Sequence, residues 1–252
     1  MCIIALAHRA SARYPLIVAA NRDESHARDT LRAGWWADAP IVGGRDAVAG
    51  GTWLAIGSDL RLAAVTNLRD PDAEPSPGAK SRGLLVSRFV SGRHAAEAFA
   101  SSLAEAGGYA PYNLLLFDGA ALHYAGNRAP ARPLGPGVHA LSNAVPGTEW
   151  PKVRRAREGL AAVLDQADPT DALFALLSEQ GPPAGGFDER QVSLFLRHPV
   201  WGTRCSTVIL VDRDGHVRFV ERSFDAAGRQ VDEVGIDFTA EPAAVPAAER
   251  AT

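Results

Sequence analysis

The second residue of the chain is a cysteine, and its position gives it a specific chemical capacity. Cysteine is small enough for an aminopeptidase to remove the preceding Met1, and the freed Cys2 then carries a thiol and an α-amine on one carbon atom. Because an α-amine has a pKa of about 7.7–8.0, it can act as a general base near neutral pH without another side chain. Cys2 is therefore a candidate N-terminal nucleophile. Judged by position alone, a small apolar residue that opens a buried strand is the commoner interpretation.

Other polar residues follow apolar runs and could complete such a site. The polar cluster at residues 21–24 comes directly after a predicted strand at residues 15–20, and the carboxylate of Asp23 is suited to hold an ammonium group or to orient a base. Asn67 and Asn143 each end an apolar run, and an amide at a strand end can donate a hydrogen bond to an oxyanion without carrying a charge. Taken singly, each of these residues is also explained as a turn residue.

An arginine opens the predicted strand at residues 204–211, in the sequence Arg-Cys-Ser-Thr. A guanidinium beside a thiol lowers the pKa of the thiol and can bind a carboxylate. Because side chains alternate along a strand, Arg204 is predicted on one face with Ser206, and Cys205 on the other face with Thr207. In isolation, Arg204 is more simply a charge at the edge of a strand.

Several other kinds of site find no support in the sequence. The seven histidines are dispersed, without a pair at the spacing of metal ligands. The motifs of serine hydrolases and of nucleotide-binding loops are absent. We therefore predict no cofactor and no metal. With 26 basic and 29 acidic residues, the net charge of -3 gives no reason to expect nucleic acid or an anionic membrane as a partner.

The cysteine count and the apolar pattern predict a soluble, cytoplasmic protein. Two cysteines are too few for a disulfide framework, which favours a reducing compartment. The apolar run at residues 3–7 is too short for a secretory signal, and no stretch approaches the roughly 20 apolar residues that span a bilayer.

The predicted elements occur in the order strands, helices, strands, helices, strands. Asp-Gly turns at residues 118–119 and 214–215 indicate hairpins, and helices are predicted at residues 150–166 and 170–179. This order favours a layered α+β architecture over alternating βαβ units. The basic residues near the start of the first of these helices, Lys152 among them, are predicted to form its polar face.

The chain shows no linker between domains and is predicted to form a single domain at residues 1–238. Residues 70–80 and 181–190 are predicted loops. The tail at residues 239–252 is rich in Ala, Pro and Glu, which predicts disorder.

Short motifs along residues 1–222 match those of a known family. They are Met-Cys at the start, Ala-Asn-Arg-Asp-Glu at 20–24, Gly-Gly-Thr-Trp-Leu at 50–54, Val-Thr-Asn-Leu-Arg at 65–69, Ser-Arg-Gly at 81–83, Leu-Ser-Asn-Ala at 141–144, Trp-Pro-Lys-Val at 150–153 and Gly-Thr-Arg at 202–204. In this combination and order they resemble the NRDE family, also called the transport and Golgi organisation protein 2 family. That family distantly resembles the choloylglycine hydrolase and penicillin V acylase group of N-terminal-nucleophile hydrolases, which cleave amide bonds. The resemblance implies a four-layer αββα sandwich with two stacked antiparallel sheets.

The resemblance also implies roles for individual residues. Cys2 matches the nucleophile, and Asp23 matches the aspartate that contacts it. Asn67 and Asn143 match two asparagines near the oxyanion, and Arg204 matches the arginine beside the thiol. The residues expected to contact the substrate are Asn21, Arg22 and Thr66.

One position departs from the amidase pattern. The amidases carry an arginine where this chain has Ala20, and Arg22, which lies between Asn21 and Asp23, is expected to point away from both. The charge at the substrate end of the site is therefore predicted to differ from that of the amidases.

Two functions are compatible with these residues. The first is a cysteine amidohydrolase that cleaves an amide or related acyl bond of a small molecule by acylation and deacylation of Cys2. The second is a binding protein that holds a ligand in the same pocket without turnover. Because eukaryotic members of the family are linked to haem mobilisation and to lipid or acyl-CoA homeostasis, this ligand would be haem or an acyl conjugate, although no haem-attachment motif is present. Five matched positions favour the enzyme, whereas a retained Met1 would leave only binding.

Overall fold

Thirteen strands and five helices make up the part of the chain that the computed structural model describes, residues 2–69 and 78–241. In chain order the strands are β1 Ile3–His8, β2 Leu16–Ser25, β3 Thr30–Trp35, β4 Ile41–Asp46, β5 Leu54–Gly57, β6 Arg61–Asn67, β7 Tyr112–Asp118, β8 Leu122–Gly126, β9 Arg132–Leu134, β10 Gly137–Leu141, β11 Trp201–Val211, β12 His216–Phe224 and β13 Gln230–Thr239. The helices are α1 Gly83–Val90, α2 Ala96–Ser102, α3 Pro151–Ala161, α4 Thr170–Leu177 and α5 Glu189–Val192, and a single 3₁₀ turn at Leu103–Glu105 follows α2.

The strands form two antiparallel sheets. One sheet has six strands in the order β10-β1-β2-β11-β12-β13, and the other has seven strands in the order β3-β4-β5-β6-β7-β8-β9. In the first sheet, Asn21 of β2 pairs with Ile3 of β1 on one side and with Ser206 of β11 on the other. This register brings the start of the chain alongside the polar segment of β2.

The two sheets stack face to face because successive side chains of a strand point to opposite faces and both faces are apolar. In β1, Ile4 and Leu6 pack in one core with Leu54 and Ile56 of the other sheet. Ile3 points to the opposite side, into a second core. Burial on both faces explains why β1 is a continuous apolar run.

Helices cover the outer face of each sheet. Val153 of α3 and Leu173 of α4 pack in one core with the outer face of the six-stranded sheet. Leu85 and Phe89 of α1 pack with Leu114 of β7 on the outer face of the seven-stranded sheet. The molecule therefore has four layers in the order α, β, β, α, and the predicted α+β sandwich is confirmed.

Strand β2 is longer than the sequence predicted. The prediction ended it at residue 20, before a polar turn, but the strand continues to Ser25 because β11 pairs with it as far as Trp201 opposite Ser25. Residues 21–24 therefore lie inside a central strand, and their side chains alternate between the two faces of the sheet.

Parts of three predicted features lie outside the described residues. These parts are Met1, residues 70–77 of the predicted loop, and residues 242–252 of the predicted tail. β13 ends at Thr239, one residue beyond the predicted end of the domain. Within residues 2–69 and 78–241, no helix has the length and apolar character needed to cross a membrane.

Candidate active site

A cavity of about 430 Å³ lies between the two sheets, at the end where β1 begins and β6 finishes. Four of the residues predicted for the site line it, namely Cys2, Arg22, Asp23 and Asn67. The segment at residues 79–83, which leads into α1, forms another wall.

Cys2 lies just before β1, and two side chains contact its backbone. Ser142, which follows β10, donates a hydrogen bond from Oγ to the carbonyl oxygen of Cys2 (2.7 Å). Nζ of Lys152 donates to the same oxygen over 3.5 Å. The thiol itself is part of the cavity wall, with Sγ 4.0 Å from the carbonyl oxygen of Asp23. These contacts fix the thiol relative to the cavity.

The electrostatic environment of the thiol differs from the one predicted. Burial raises the pKa of Cys2, and the nearby charge of Asp23 raises it further, whereas Arg22 lowers it. The family resemblance had implied that Arg204 lowers the pKa of this thiol. A thiol with a raised pKa stays protonated at neutral pH, so its use as a nucleophile requires a base close by.

Asp23 is buried and is held by a neighbouring strand. Thr203 of β11, its register partner, donates a hydrogen bond from Oγ1 to Oδ1 of Asp23 (2.6 Å). Burial raises the pKa of Asp23, while the charge of Lys152 and the hydrogen bond from Thr203 act in the opposite direction. Asp23, Lys152 and Cys2 therefore form one electrostatically coupled group beside the cavity.

The sequence missed the role of Lys152. It was predicted on the polar face of a helix, but its side chain has no solvent exposure and lies on the buried face of α3 with Val153, Ala156 and Leu160. Burial lowers the pKa of Lys152, and the charges of Asp23 and Cys2 counteract this. These four residues are spaced so that they lie on one side of a helix, and this spacing could have indicated that Lys152 is buried.

Arg22 supplies a positive charge on the inner face of β2. Ala20, two residues earlier on the same face, packs in the core between the sheets. The guanidinium of Arg22 lies over the ring of Trp53, 4.2 Å from its centroid, and donates to Oγ1 of Thr30 (2.8 Å). The amidases carry an arginine where this chain has Ala20. In this chain a buried arginine, Arg22, lines the cavity two residues further along the strand.

The two predicted asparagines have different positions. Asn67 lines the cavity at the end of β6 and is exposed. Asn143 is buried and is not among the residues that line the cavity. Its Nδ2 donates to the backbone carbonyl of Asn67 (2.6 Å), and its own carbonyl accepts from the backbone N–H of Arg69 (2.8 Å). Asn143 thus holds in place the segment that carries Asn67.

Arg204 does not lie in the cavity wall. Its Nη1 donates to three backbone carbonyl oxygens at the end of β2 and in the turn that follows, those of Ser25 (2.8 Å), His26 (3.3 Å) and Arg28 (3.2 Å). The pairing of β11 with β2 is irregular between Thr203 and Cys205, so that Arg204 sits at a bulge. Its predicted place beside the thiol is therefore not observed, and its contacts anchor the turn.

Asn21 and Thr66, predicted to contact the substrate, are engaged in internal hydrogen bonds. Asn21 donates to the carbonyl oxygens of Leu177 (2.8 Å) and Leu194 (3.0 Å) and accepts from Ser206 (2.6 Å). Neither residue is among those that line the cavity.

Thr66 connects the two sheets. Its Oγ1 donates to the carbonyl oxygen of Ser142 (2.7 Å), and the hydroxyl of Ser142 donates to Cys2. Asn113 of β7 donates to the same carbonyl of Ser142 (3.0 Å). Thr66 and Asn113 therefore act through Ser142 on the position of Cys2.

The chain as a whole is similar to proteins of one family. A family model described as Transport and Golgi organisation 2 matches residues 1–226. Transport and Golgi organization 2 homologs of Mus musculus and Homo sapiens are 34% identical to the chain over 241 residues, or 83% of this chain and 87% of each relative. The Drosophila melanogaster Transport and Golgi organization protein 2 is 45% identical over 82 residues, which are 31% of this chain and 29% of that protein.

The fold is similar to that of two solved hydrolases. A Caenorhabditis elegans N-acylethanolamine-hydrolyzing acid amidase ortholog superposes with a TM-score of 0.54 at 10% identity, over 83% of this chain and 92% of the other. A C2A mutant of the conjugated bile acid hydrolase from Clostridium perfringens superposes with a TM-score of 0.53 at 8% identity, over 94% and 92%. At these low sequence identities, the similarity to the two hydrolases shows a shared fold alone.

Proposed function

The chain belongs to the Transport and Golgi organisation 2 family and has the fold of N-terminal-nucleophile hydrolases, and we therefore propose that it cleaves an amide or related acyl bond of a small molecule through Cys2. The observation that carries the proposal is that the thiol of Cys2 lines one cavity together with Asp23 and Asn67. Both similar structures are of proteins named as hydrolytic enzymes, which supports this class of reaction.

The proposed reaction begins after removal of Met1, which frees the α-amine of Cys2. The amine takes the thiol proton, and the thiolate attacks the substrate carbonyl carbon to give a tetrahedral oxyanion. The proton then passes from the ammonium to the leaving nitrogen as the C–N bond breaks, which leaves a thioester on Cys2. Water attacks the thioester with the amine as base, and the carboxylic acid and the free thiol result.

The surrounding residues fit separate roles in this reaction. The carboxylate of Asp23 would stabilise the ammonium that forms when the amine accepts the proton. The amide of Asn67 would donate a hydrogen bond to the oxyanion, an interaction that becomes strong only in the tetrahedral state. The raised pKa of the Cys2 thiol keeps it protonated until the amine removes the proton.

Acylation of the protein by p-nitrophenyl acetate, followed by intact-mass analysis, tests the proposal. We expect the protein from its native source to lack Met1 and to gain one acetyl group. The variant Cys2→Ala should gain none, and the matched variant Cys205→Ser should react like the wild type because the side chain of Cys205 is buried. A retained Met1, or acetylation of Cys2→Ala at the wild-type rate, would contradict the proposal.

Two observations favour the second candidate function, ligand binding without turnover. Burial raises the pKa of the Cys2 thiol, and Asn143 and Arg204 are not in the cavity wall. Among the described lining residues there is no histidine, so the thiol of Cys2 is the side chain there that could ligate haem iron. Titration with haem and with an acyl conjugate measures such binding, and single-turnover release of the acyl group separates binding from hydrolysis.

A further inference from the structure

We propose that the cavity binds substrates that carry an anionic group, a carboxylate or a phosphate, and that Arg82 binds this group. The inference rests on the proposed function, because it concerns the substrates of Cys2. Three observations support it, namely the distribution of charge around the cavity, the hydrogen bonding of Arg82 and the position of Arg82 and Cys2 in the wall of the same cavity.

Charged side chains on one side of the cavity are already paired. Arg28 donates from Nε and Nη2 to Oδ2 of Asp46 (2.8 and 2.7 Å). Nη2 of Arg22 lies 3.9 Å from Oε2 of Glu24. These opposite charges offset one another, so this side exerts little attraction on an anion.

The wall at residues 79–83 is different, since it carries two cations and no acidic residue. Arg82 donates from Nη1 to the carbonyl oxygen of Pro111 (3.1 Å), and Lys80 donates from Nζ to that of Gly107 (3.2 Å). Within residues 2–69 and 78–241, no carboxylate oxygen lies within 4.0 Å of either cation. A guanidinium has five N–H donors, so most of the donors of Arg82 remain available to a ligand.

Arg82 is also placed where an anion would be held firmly. It is half-buried, and burial lowers the pKa of its guanidinium, whereas the charges of Glu24 and Cys2 act against this. A cation that is removed from water, with no carboxylate within 4.0 Å in the described part of the chain, gains strongly from a bound anion. The planar guanidinium matches both oxygens of a carboxylate or phosphate. Because Arg82 and Cys2 line the same cavity, an anion bound to Arg82 keeps the rest of the molecule near the thiol.

The test uses two thiol-reactive probes that differ in one charge, maleimidopropionate and its methyl ester, on the full-length protein without Met1. Peptide mass spectrometry gives the rate of addition to Cys2, and free cysteine gives the reference ratio of the two rates. At Cys2, we expect the rate of the anionic probe divided by that of the neutral probe to exceed the ratio for free cysteine about tenfold. The reason is that a charge-assisted hydrogen bond is stronger than a neutral one. Arg82→Gln should bring the ratio near that of free cysteine, and Arg82→Lys should give an intermediate value.

Arg88 provides the matched control, because it is an exposed arginine on α1, the helix that begins directly after Arg82. Arg88→Gln should leave the ratio unchanged. The inference is overturned if the ratio measured for the wild type equals that of free cysteine. It is also overturned if Arg82→Gln and Arg82→Lys both give the same ratio as the wild type. If instead the neutral ester adds to Cys2 no faster than to Cys205, the proposed function fails, so the two failures are distinguishable.

Protection by salts separates the two kinds of anionic group. Sodium phosphate and sodium acetate are compared at equal ionic strength as protectants of Cys2 against maleimidopropionate. Stronger protection by phosphate supports a phosphorylated substrate, and stronger protection by acetate supports a carboxylate. Protection by neither salt overturns the proposal.

Discussion

The side chain of Lys152 is fully buried, and its Nζ lies 3.5 Å from the backbone carbonyl oxygen of Cys2. This contact ties the N-terminal part of α3 to the start of β1, where the candidate nucleophile lies. A buried ammonium requires compensation by an opposite charge, and the charge of Asp23 acts on Lys152 in that sense. The thiol, the carboxylate and the ammonium are therefore interdependent parts of one site.

Replacement of Lys152 by Met tests this interdependence. The variant keeps most of the side-chain volume but removes a positive charge that acts on the buried Asp23. We expect the free energy of unfolding to fall by about 3–5 kcal/mol. The double variant Lys152→Met with Asp23→Asn should recover most of that loss in urea-unfolding measurements. Equal stabilities of Lys152→Met and the wild type would show that the two groups are not coupled.

Cys2 is expected to react with iodoacetamide at least about tenfold faster than Cys205, because reactivity follows exposure and thiolate fraction. Cys205 is 4% exposed, and burial raises the pKa of its thiol well above the ordinary value, with Glu221 adding to the effect. Cys2 lines the cavity. Peptide mapping after timed alkylation measures both rates, and alkylation of Cys205 at the same rate as Cys2 would refute the assignment.

Arg22, and not Arg204, is the arginine expected to affect the reactivity of the thiol. Arg22 lowers the pKa of Cys2, so Arg22→Gln should slow its alkylation near neutral pH. Arg204→Ala removes hydrogen bonds to three backbone carbonyls. It should lower the free energy of unfolding by about 1–3 kcal/mol and leave alkylation of the folded protein unchanged. The pH profile of alkylation distinguishes the two variants, and slower alkylation of Arg204→Ala would restore the role implied by the family resemblance.

The layered fold was predictable because its signals are local. The apolar run of β1 and the Asp-Gly turns predicted antiparallel strands, which the structure confirms. β13 was missed although its sequence carried a signal, because Val234, Ile236 and Phe238 alternate with exposed residues along this edge strand. The end of β2 was misplaced for a different reason, because pairing with β11 keeps polar residues such as Asn21 in a strand.

The members of the site were only partly predictable. Cys2 and Asp23 line the cavity as expected, since their positions follow from the start of β1 and the register of β2. The bulge next to Thr203, which directs Arg204 to the turn, depends on pairing between strands distant in the sequence. The sequence could not indicate it, because a bulge adds one residue without changing the pattern of residue types.

Asn67 and Asn143 should respond differently to replacement by Ala. Asn67 is exposed in the cavity wall, so Asn67→Ala should leave stability unchanged and reduce acyl transfer by about 10²–10³-fold, the usual effect of losing an oxyanion donor. Asn143→Ala removes the hydrogen bond to the carbonyl of Asn67 and should lower the free energy of unfolding by about 1–3 kcal/mol. Thermal unfolding and single-turnover acylation give the two readouts. A stable Asn143→Ala with slowed acylation would instead identify Asn143 as a direct donor.

Glu221 predicts a pH dependence of stability. This residue of β12 is buried between the sheets and accepts a hydrogen bond from Oγ1 of Thr207 (2.8 Å). Burial raises its pKa from 4.5, and the hydrogen bond and the charge of Arg22 only partly oppose this. The unfolded chain therefore releases this proton at a lower pH than the folded protein does. The contribution of Glu221 to stability is present below the unfolded pKa and is lost as pH rises toward the folded pKa.

Glu221→Gln removes this titration while retaining an oxygen that can accept the hydrogen bond from Thr207. We expect the difference in unfolding free energy between variant and wild type to shift in favour of the variant as pH increases from about 4.5, and to level off above the folded pKa. Urea unfolding across the range from acidic to neutral pH measures the difference. Glu158→Gln, an exposed change on α3, is the control and should follow the wild-type curve. A pH-independent difference for Glu221→Gln would show that the buried carboxyl does not titrate in this range.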